Sequence, residues 1–378
     1  MKTLNKDLLK QNIEKAATYD FENNKVFGSA YLVYQNGETV YKNCFGFTDL
    51  ENNTPVSENT LFRLASMTKP ITAIAALILV DRGLLKLDEN VEDYLEQYKG
   101  IHITRTEADG THTDLGKAKN KIKIYHLLSH ISGIGCGPLQ EGLSDTDRET
   151  TESFINYFAK VGLEFEPATQ QAYSGTAAFD VLVAIIEQIT GTDYLSFLKS
   201  EIFIPCGMVD TTFIPNTEQQ SRIIKMHAKV NEQNAIGETF NDCVFENYPC
   251  THFLGGAGLV STLSDYAKFA KMLLNKGKTE TKQILSEKVF SLMCTPHVSA
   301  EIMPGTERWG LGVRVITDES YPFLPVGAFG WSGAYGSHFW IDPLNRIFAV
   351  YMKNSRFDGG AANESACNFE RAVNNSFD

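Results

Sequence analysis

The sequence predicts an α+β fold: one antiparallel sheet built from both ends of the chain, flanked by helices, with a mainly helical region inserted. Three observations predict it. Strand-like runs with turn signals lie near the N-terminus, strand character returns over residues 309–352, and helix patterns dominate between them. The sheet region is expected to comprise residues 1–85 and 255–378, the helical region residues 86–254. A site is then expected at the seam of the two.

Residues 5–22 carry the period of an amphipathic helix. Residues 30–34 and 39–41 are rich in β-formers and flank Asn36-Gly37, a strong hairpin signal. After a polar loop, Ser66 opens a helix carrying Ile71, Ala75, Leu77, Ile78 and Leu79 and stopping at Gly83. In the middle, residues 124–128, 151–161, 177–190 and 194–203 read as helices, with Gly191 as a C-cap. Residues 103–120 read as a polar loop, and 216–250 are too mixed to assign. Residues 309–315, 327–331, 337–341 and 347–352 read as a strand meander, its last pair joined through Asp342-Pro343-Leu344-Asn345. Residues 361–375 read as a closing helix.

Composition narrows the function. Of 378 residues, 43% are hydrophobic and 21% charged, enough to bury a core without disulfides or metal. The net charge of -12, with no run of Lys or Arg, speaks against a nucleic-acid partner. The polar start Met1-Lys2-Thr3-Leu4-Asn5-Lys6-Asp7 is not a signal peptide, and the longest apolar run, residues 71–80, is too short to span a bilayer. Seven cysteines, an odd number without a CxxC pair, fit reduced thiols in a cytoplasm. A small-molecule substrate without metal or cofactor is the expectation.

Three segments carry chemistry. Ser66-Met67-Thr68-Lys69 places serine and lysine three apart, on one helix face. A serine hydroxyl is a poor nucleophile until a base takes its proton, and a desolvated lysine can serve as that base. The helix N-terminus adds free N–H groups and a positive field. Ser196-Phe197-Leu198-Lys199 has the same spacing, so spacing alone is weak; it reads as a surface helix. Context favours Ser66, because the helix after it is nearly all apolar and a lysine in its first turn is costly unless it has a role. The second segment is Tyr173-Ser174-Gly175, a phenol ahead of a helix that can shuttle a proton. The third is Trp331-Ser332-Gly333-Ala334, small residues beside a strand where a backbone can approach a ligand closely. Its bland alternative is a tight turn between aromatic core residues.

In this order and spacing the three segments resemble the serine β-lactamase and penicillin-binding superfamily, whose Ser-x-x-Lys motif is shared, and most closely the class C β-lactamase-like, family VIII carboxylesterases. His126-Leu127-Leu128-Ser129-His130-Ile131-Ser132-Gly133, Gly255-Gly256-Ala257-Gly258-Leu259-Val260-Ser261-Thr262 and Trp309-Gly310-Leu311-Gly312-Val313 resemble further landmarks, so the likeness covers most of the chain. The resemblance implies that Ser66 is acylated, that Lys69 and Tyr173 exchange its proton, and that the N–H groups of Ser66 and Ala334 form an oxyanion hole. Two departures bear on substrate. Gly175 stands where β-lactamases of this type carry an Asn that binds the substrate amide. Trp331-Ser332-Gly333 stands where they carry Lys-Thr-Gly, whose Lys pairs with a carboxylate. A neutral, partly apolar ester suits this site better than an anionic β-lactam.

Other readings are weaker. A D-amino-acid amidase or D-aminopeptidase, or a β-lactamase, is the runner-up; a catalytically silent penicillin-binding-like sensor is the alternative of another class. His126 and His130 lie four apart, but Leu127 stands where a metalloprotease helix needs Glu, so core or supporting hydrogen bonds are expected of them. Gly330-Trp331-Ser332-Gly333-Ala334 nearly matches a nucleophile elbow but precedes a strand. Cys136, a loop cysteine near His130, has no context for a thiol nucleophile.

Overall fold

The hairpin at Asn36-Gly37 forms as its residue types require: φ is 51° at Asn36 and 103° at Gly37, the left-handed pair that closes a two-residue turn. It joins β1 (Gly28–Gln35) to β2 (Glu38–Asp49). The computed structural model describes residues 1–229, 237–240, 252–356 and 358–378. β3 is Thr54–Pro55, and the C-terminal part supplies β4 (Glu307–Trp309), β5 (Arg314–Ile316), β6 (Phe329–Ser332), β7 (His338–Asp342) and β8 (Ile347–Lys353). These form one eight-stranded sheet in the order β4-β5-β6-β7-β8-β1-β2-β3, antiparallel throughout. The two chain ends meet where β8 pairs with β1, with Tyr351 opposite Tyr31 and Val350 opposite Leu32.

Strand alternation sorts these side chains to two faces. Tyr31, Val33, Trp340, Ala349 and Tyr351 pack with Leu9 and Ile13 of α1 (Lys6–Glu22) and with Phe369 of the C-terminal helix Glu364–Asn374. Ala30, Leu32, Phe339, Val350 and Met352 face the larger core. All seven residues of β8 are buried because both faces are covered, hence its nearly unbroken apolar sequence.

The larger core holds α2 (Lys69–Asp81), buried from Lys69 through Leu79. A helix apolar on all sides belongs inside a core. Around it lie α3 (Ala177–Thr190) and α4 (Leu263–Leu274). Gly191 caps α3 in the left-handed conformation, φ 64°.

Several segments differ from the sequence reading. Ser66 lies in a 3-10 turn, Ala65–Thr68, and the α-helix proper starts at Lys69. Residues 103–120 are not a loop but a hairpin, His102–Thr106 with His112–Lys117. Its faces are largely exposed, so no apolar alternation announces it; Asp109-Gly110, with Gly110 at φ 83°, makes its turn. Residues 309–315 are not one strand: Gly310 N–H donates to the Val313 carbonyl at 2.9 Å and Gly312 adopts φ 74°, so the chain reverses between β4 and β5. A Cβ on Gly312 would meet Ala73 Cβ at 2.6 Å, which is why this turn sits against α2. Within 194–203 the α-helix Tyr194–Leu198 widens into a π turn, Lys199–Phe203. Of the unassigned 216–250, Thr217–Ser221 is helical and Met226–Lys229 pairs with Gly237–Phe240; residues 230–236 and 241–250 lie outside the described residues.

No single helix among the described residues is long and apolar enough to cross a membrane. The five described cysteines, Cys44, Cys136, Cys206, Cys294 and Cys367, are unpaired.

Candidate active site

The strand Leu61–Arg63 is fixed against Val260–Thr262 and leads into Ala65, whose φ of 45° is unusual for a residue with a Cβ. Such a conformation costs on the order of 1 kcal/mol and is held by its surroundings. It turns the chain sharply, so that Ser66 is part-exposed while Ala65, Met67 and Thr68 are buried. Met67 N–H donates to the Leu64 carbonyl at 3.1 Å and opens the turn, so Ser66 N–H has no acceptor within it.

Lys69 is fully buried. Its Nζ lies 3.3 Å from Ser66 Oγ and 2.9 Å from the Gly256 carbonyl, and it also donates to the Gly175 carbonyl. It sits 4.9 Å from the Tyr173 ring centre and 5.2 Å from that of Phe179. Among the described residues no carboxylate lies within ion-pair distance. Two carbonyls therefore take two of its hydrogens, and the remaining position on nitrogen faces the serine hydroxyl. The Gly255-Gly256 pair is needed for this: a Cβ on Gly255 would meet the Phe179 carbonyl at 2.4 Å, and one on Gly256 would meet Thr176 Cα at 2.7 Å. Only glycine lets this backbone press against the start of α3 and aim its carbonyl at Lys69.

Tyr173 is half-buried, and its Oη accepts the Trp331 Nε1–H at 3.1 Å. Its ring lies against His130 at 4.5 Å, Trp331 at 5.4 Å and Trp309 at 5.9 Å between centres, and the two indoles meet edge to face at 4.4 Å. His130 Nδ1 accepts Ser174 N–H at 3.1 Å and the His130 carbonyl accepts Ala172 N–H at 3.1 Å, so this residue grips the chain on both sides of Tyr173. Burial above all holds the imidazole well below its ordinary value, so it stays neutral with its proton on Nε2. His126 likewise accepts a backbone N–H, from Lys123 at 3.1 Å, and burial pushes it down to about 4.

The segment 331–334 divides. Trp331 faces Tyr173, whereas the side chain of Ser332, next along the strand, points to the opposite face. There its Oγ is buried and bonded to His338 Nδ1 at 2.8 Å; His338 Nε2 meets Glu370 Oε1 at 2.8 Å, and Arg314 donates to the same oxygen at 2.6 Å. The Ser332 side chain thus points away from Tyr173. Gly333 is forced: a Cβ there would lie 2.4 Å from the Leu64 carbonyl, two residues before Ser66. Gly333 N–H donates to the Ser337 carbonyl at 2.7 Å, closing a tight turn. Ala334 is exposed, and its N–H finds no partner among the described residues.

Ser66, Lys69, Tyr173, Trp331 and Gly333 are thus brought together by direct contacts, and Ala334 follows Gly333 in the same turn. Ser196 and Lys199 are exposed on the helix surface. Burial pushes the Cys136 thiol up to about 12, away from thiolate chemistry. The Gly330–Ala334 stretch turns into β7 and not into a helix. Sequence reasoning missed the carbonyls of Gly175 and Gly256 and the wall made by His130 and Trp309; the Gly-Gly pair and the Trp309 landmark were the available signals.

Residues 9–366 match the family model described as Beta-lactamase. Protein Rv1367c of Mycobacterium tuberculosis is 30% identical over 348 residues, covering 86% of this chain and 85% of the relative. Esterase EstB of Burkholderia gladioli is 27% identical, covering 89% and 88%. Among solved structures, EstCE1, described as a hydrolase with promiscuous acyltransferase activity, superimposes with a TM-score of 0.81 at 25% identity, covering 97% of this chain and 99% of its own. Sequence, fold and the match across nearly the whole length agree that the chain belongs to the beta-lactamase family, a group of hydrolases and acyltransferases that includes esterases.

Proposed function

We propose that the protein is a serine esterase that cleaves neutral carboxylic esters through an acyl-enzyme on Ser66. The placement of Lys69 Nζ carries this reading: 3.3 Å from Ser66 Oγ, with the Gly175 and Gly256 carbonyls taking two of its hydrogens. In the unprotonated amine, those two bonds leave the lone pair facing the hydroxyl. Lys69 takes the Ser66 proton as Oγ attacks the ester carbonyl, and the N–H groups of Ser66 and Ala334 receive the developing oxyanion. The alcohol leaves with the proton of the Tyr173 hydroxyl, which becomes the phenolate. Water, deprotonated by Tyr173, then attacks the acyl carbonyl, and Ser66 leaves with the proton returned by Lys69, releasing the acid. The Trp331 N–H bonded to Tyr173 Oη holds the phenol oxygen in place for this step.

Substrate preference follows from the neutral surroundings. The lysine that would pair with a carboxylate is replaced by Trp331, packed among Trp309 and Tyr173, and Gly175 has no side chain to bind an amide. EstB bears the name of an esterase, which supports the same class. The unpaired thiols support a reducing, cytoplasmic setting. The experiment compares kcat/KM on p-nitrophenyl acetate, nitrocefin and a D-alanyl anilide. The ester is expected to lead by on the order of 10² or more, the scale on which a site discriminates by polar groups it lacks. Equal or better turnover of nitrocefin or the anilide would replace the esterase reading by the β-lactamase or amidase one, and no turnover of any with no covalent adduct would favour a sensor.

Acyl transfer to a second alcohol uses the same acyl-enzyme and is a second reading, favoured by the aromatic wall of His130, Trp309 and Trp331 around the phenol, which offers water few polar anchors. Tyr173→Phe keeps these ring contacts and removes only the hydroxyl. Its kcat on p-nitrophenyl acetate is expected to fall about 10²-fold with the thermal midpoint little changed; a rate near that of the parent would remove Tyr173 from the mechanism.

A further inference from the structure

We propose that Asn354 is a positioning residue that keeps the Ser66 N–H free and in register with the Ala334 N–H, through a bracket made by residues 353–355 and 358–360. The inference rests on the serine-esterase reading and concerns residues outside its catalytic set. Asn354 lies just past β8 and is 2% exposed. Its Oδ1 accepts Arg63 N–H at 2.9 Å and its Nδ2 donates to the Arg63 carbonyl at 3.0 Å. The side-chain amide thus copies a strand partner on the edge of Leu61–Arg63 that faces away from Val260–Thr262. The consequence is local and chemical. In a turn tightened by one residue, the Arg63 carbonyl is the acceptor Ser66 N–H would seek. Asn354 instead holds that carbonyl on the outer edge of the strand, the chain turns away at Ala65, and Ser66 N–H makes no bond to it, so this N–H is left for the substrate oxygen.

The same short stretch holds the second donor. Ser355 N–H donates to the Tyr335 carbonyl at 2.9 Å, and Gly360 N–H is shared between the carbonyls of Gly333 at 3.2 Å and Ala334 at 3.1 Å. A Cβ on Gly359 would lie 2.1 Å from the Ala334 carbonyl, so the two backbones are in direct contact. The Gly333 carbonyl shares a peptide plane with Ala334 N–H; held by Gly360 N–H and by Gly336 N–H at 2.9 Å, it sets the orientation of that N–H. The stretch is itself stapled: Lys353, fully buried, pairs with Asp358 at 2.6 Å and donates to Ser365 Oγ at 3.1 Å, while Ser337 Oγ donates to the Lys353 carbonyl at 2.8 Å. One segment therefore fixes Arg63 three residues before the nucleophile and the turn that carries Ala334. Asn354 makes no hydrogen bond to Ser66, Lys69 or Tyr173, so its loss leaves their own contacts in place and is read at the oxyanion donors.

The test compares p-nitrophenyl acetate with its thionoester, whose sulfur is a poor hydrogen-bond acceptor and draws little from an oxyanion hole. The parent enzyme is expected to favour the oxygen ester. Asn354→Ala is expected to lower kcat on the oxygen ester by about 10- to 10²-fold, as for a small misplacement of catalytic groups, with KM within about twofold. The thionoester rate should change little, so the preference narrows by the same factor. Equal losses on both esters, or no loss on either, would overturn the bracket. A parent enzyme inactive on both, without a covalent adduct on Ser66, would instead refute the esterase reading beneath it. If Asn354→Ala does not fold, Asn354→Ser, which keeps a short polar group in the same place, is read by the same two rates.

Discussion

Ser66→Ala is expected to lower kcat on p-nitrophenyl acetate by roughly 10⁴-fold or more, the scale seen when a covalent nucleophile is deleted and only binding and electrostatics remain. The same variant should lose the mass increment that a fluorophosphonate adds to the parent protein. The fold should survive the change. Ser66 is part-exposed, and the bond of its Oγ to Lys69, at 3.3 Å, is long. Removing it leaves Lys69 with its two carbonyl partners, so no buried group is newly orphaned. Ser196→Ala is the internal control. It has the same spacing to a lysine but lies on an exposed face, and it should change neither rate nor labelling. Turnover that persists in Ser66→Ala, or an adduct that maps to another residue, would reject the acyl-enzyme at this position.

That pair of serines shows what was legible in the sequence. Ser66 and Ser196 share a motif, and what separates them is the apolar helix that follows Lys69, a pattern that can be read directly because burial follows composition. The sheet was legible for the same reason: β1, β2 and β8 carry β-formers and, at Asn36-Gly37, a turn whose conformation is dictated by residue type. Exposed structure was harder to read. The hairpin His102–Thr106 with His112–Lys117 buries too little to leave an apolar stripe. Backbone chemistry was harder still. The Gly175 and Gly256 carbonyls that hold Lys69 have no side-chain signature; only the glycines that allow their approach can be seen. Ser332 is a different kind of miss. The strand read from the sequence ends at Trp331, whereas it runs on through Ser332, so the two side chains must face opposite ways.

Lys69→Met tests the base with little disturbance of volume. Methionine fills the space of the lysine stem, so the packing against Tyr173 and Phe179 is largely kept. The Gly175 and Gly256 carbonyls lose a donor, at about 1–3 kcal/mol for each carbonyl left unsatisfied, while the cost of desolvating an amine disappears. These effects oppose each other, and a folded protein is expected. The chemistry has no such offset. Without an amine beside Oγ, the serine proton has no acceptor at the moment of attack, and kcat should fall on the order of 10³-fold. Lys69→Arg should not restore it: the guanidinium stays protonated at every working pH and can donate to the same carbonyls without accepting a proton. A small primary amine added to Lys69→Ala, which opens the cavity, should recover part of the rate, and more of it as pH rises and the free base accumulates. Recovery by ammonium-free salt at equal ionic strength would point to a mere field effect. Near-parental turnover in Lys69→Met would show that the proton leaves Ser66 by another route.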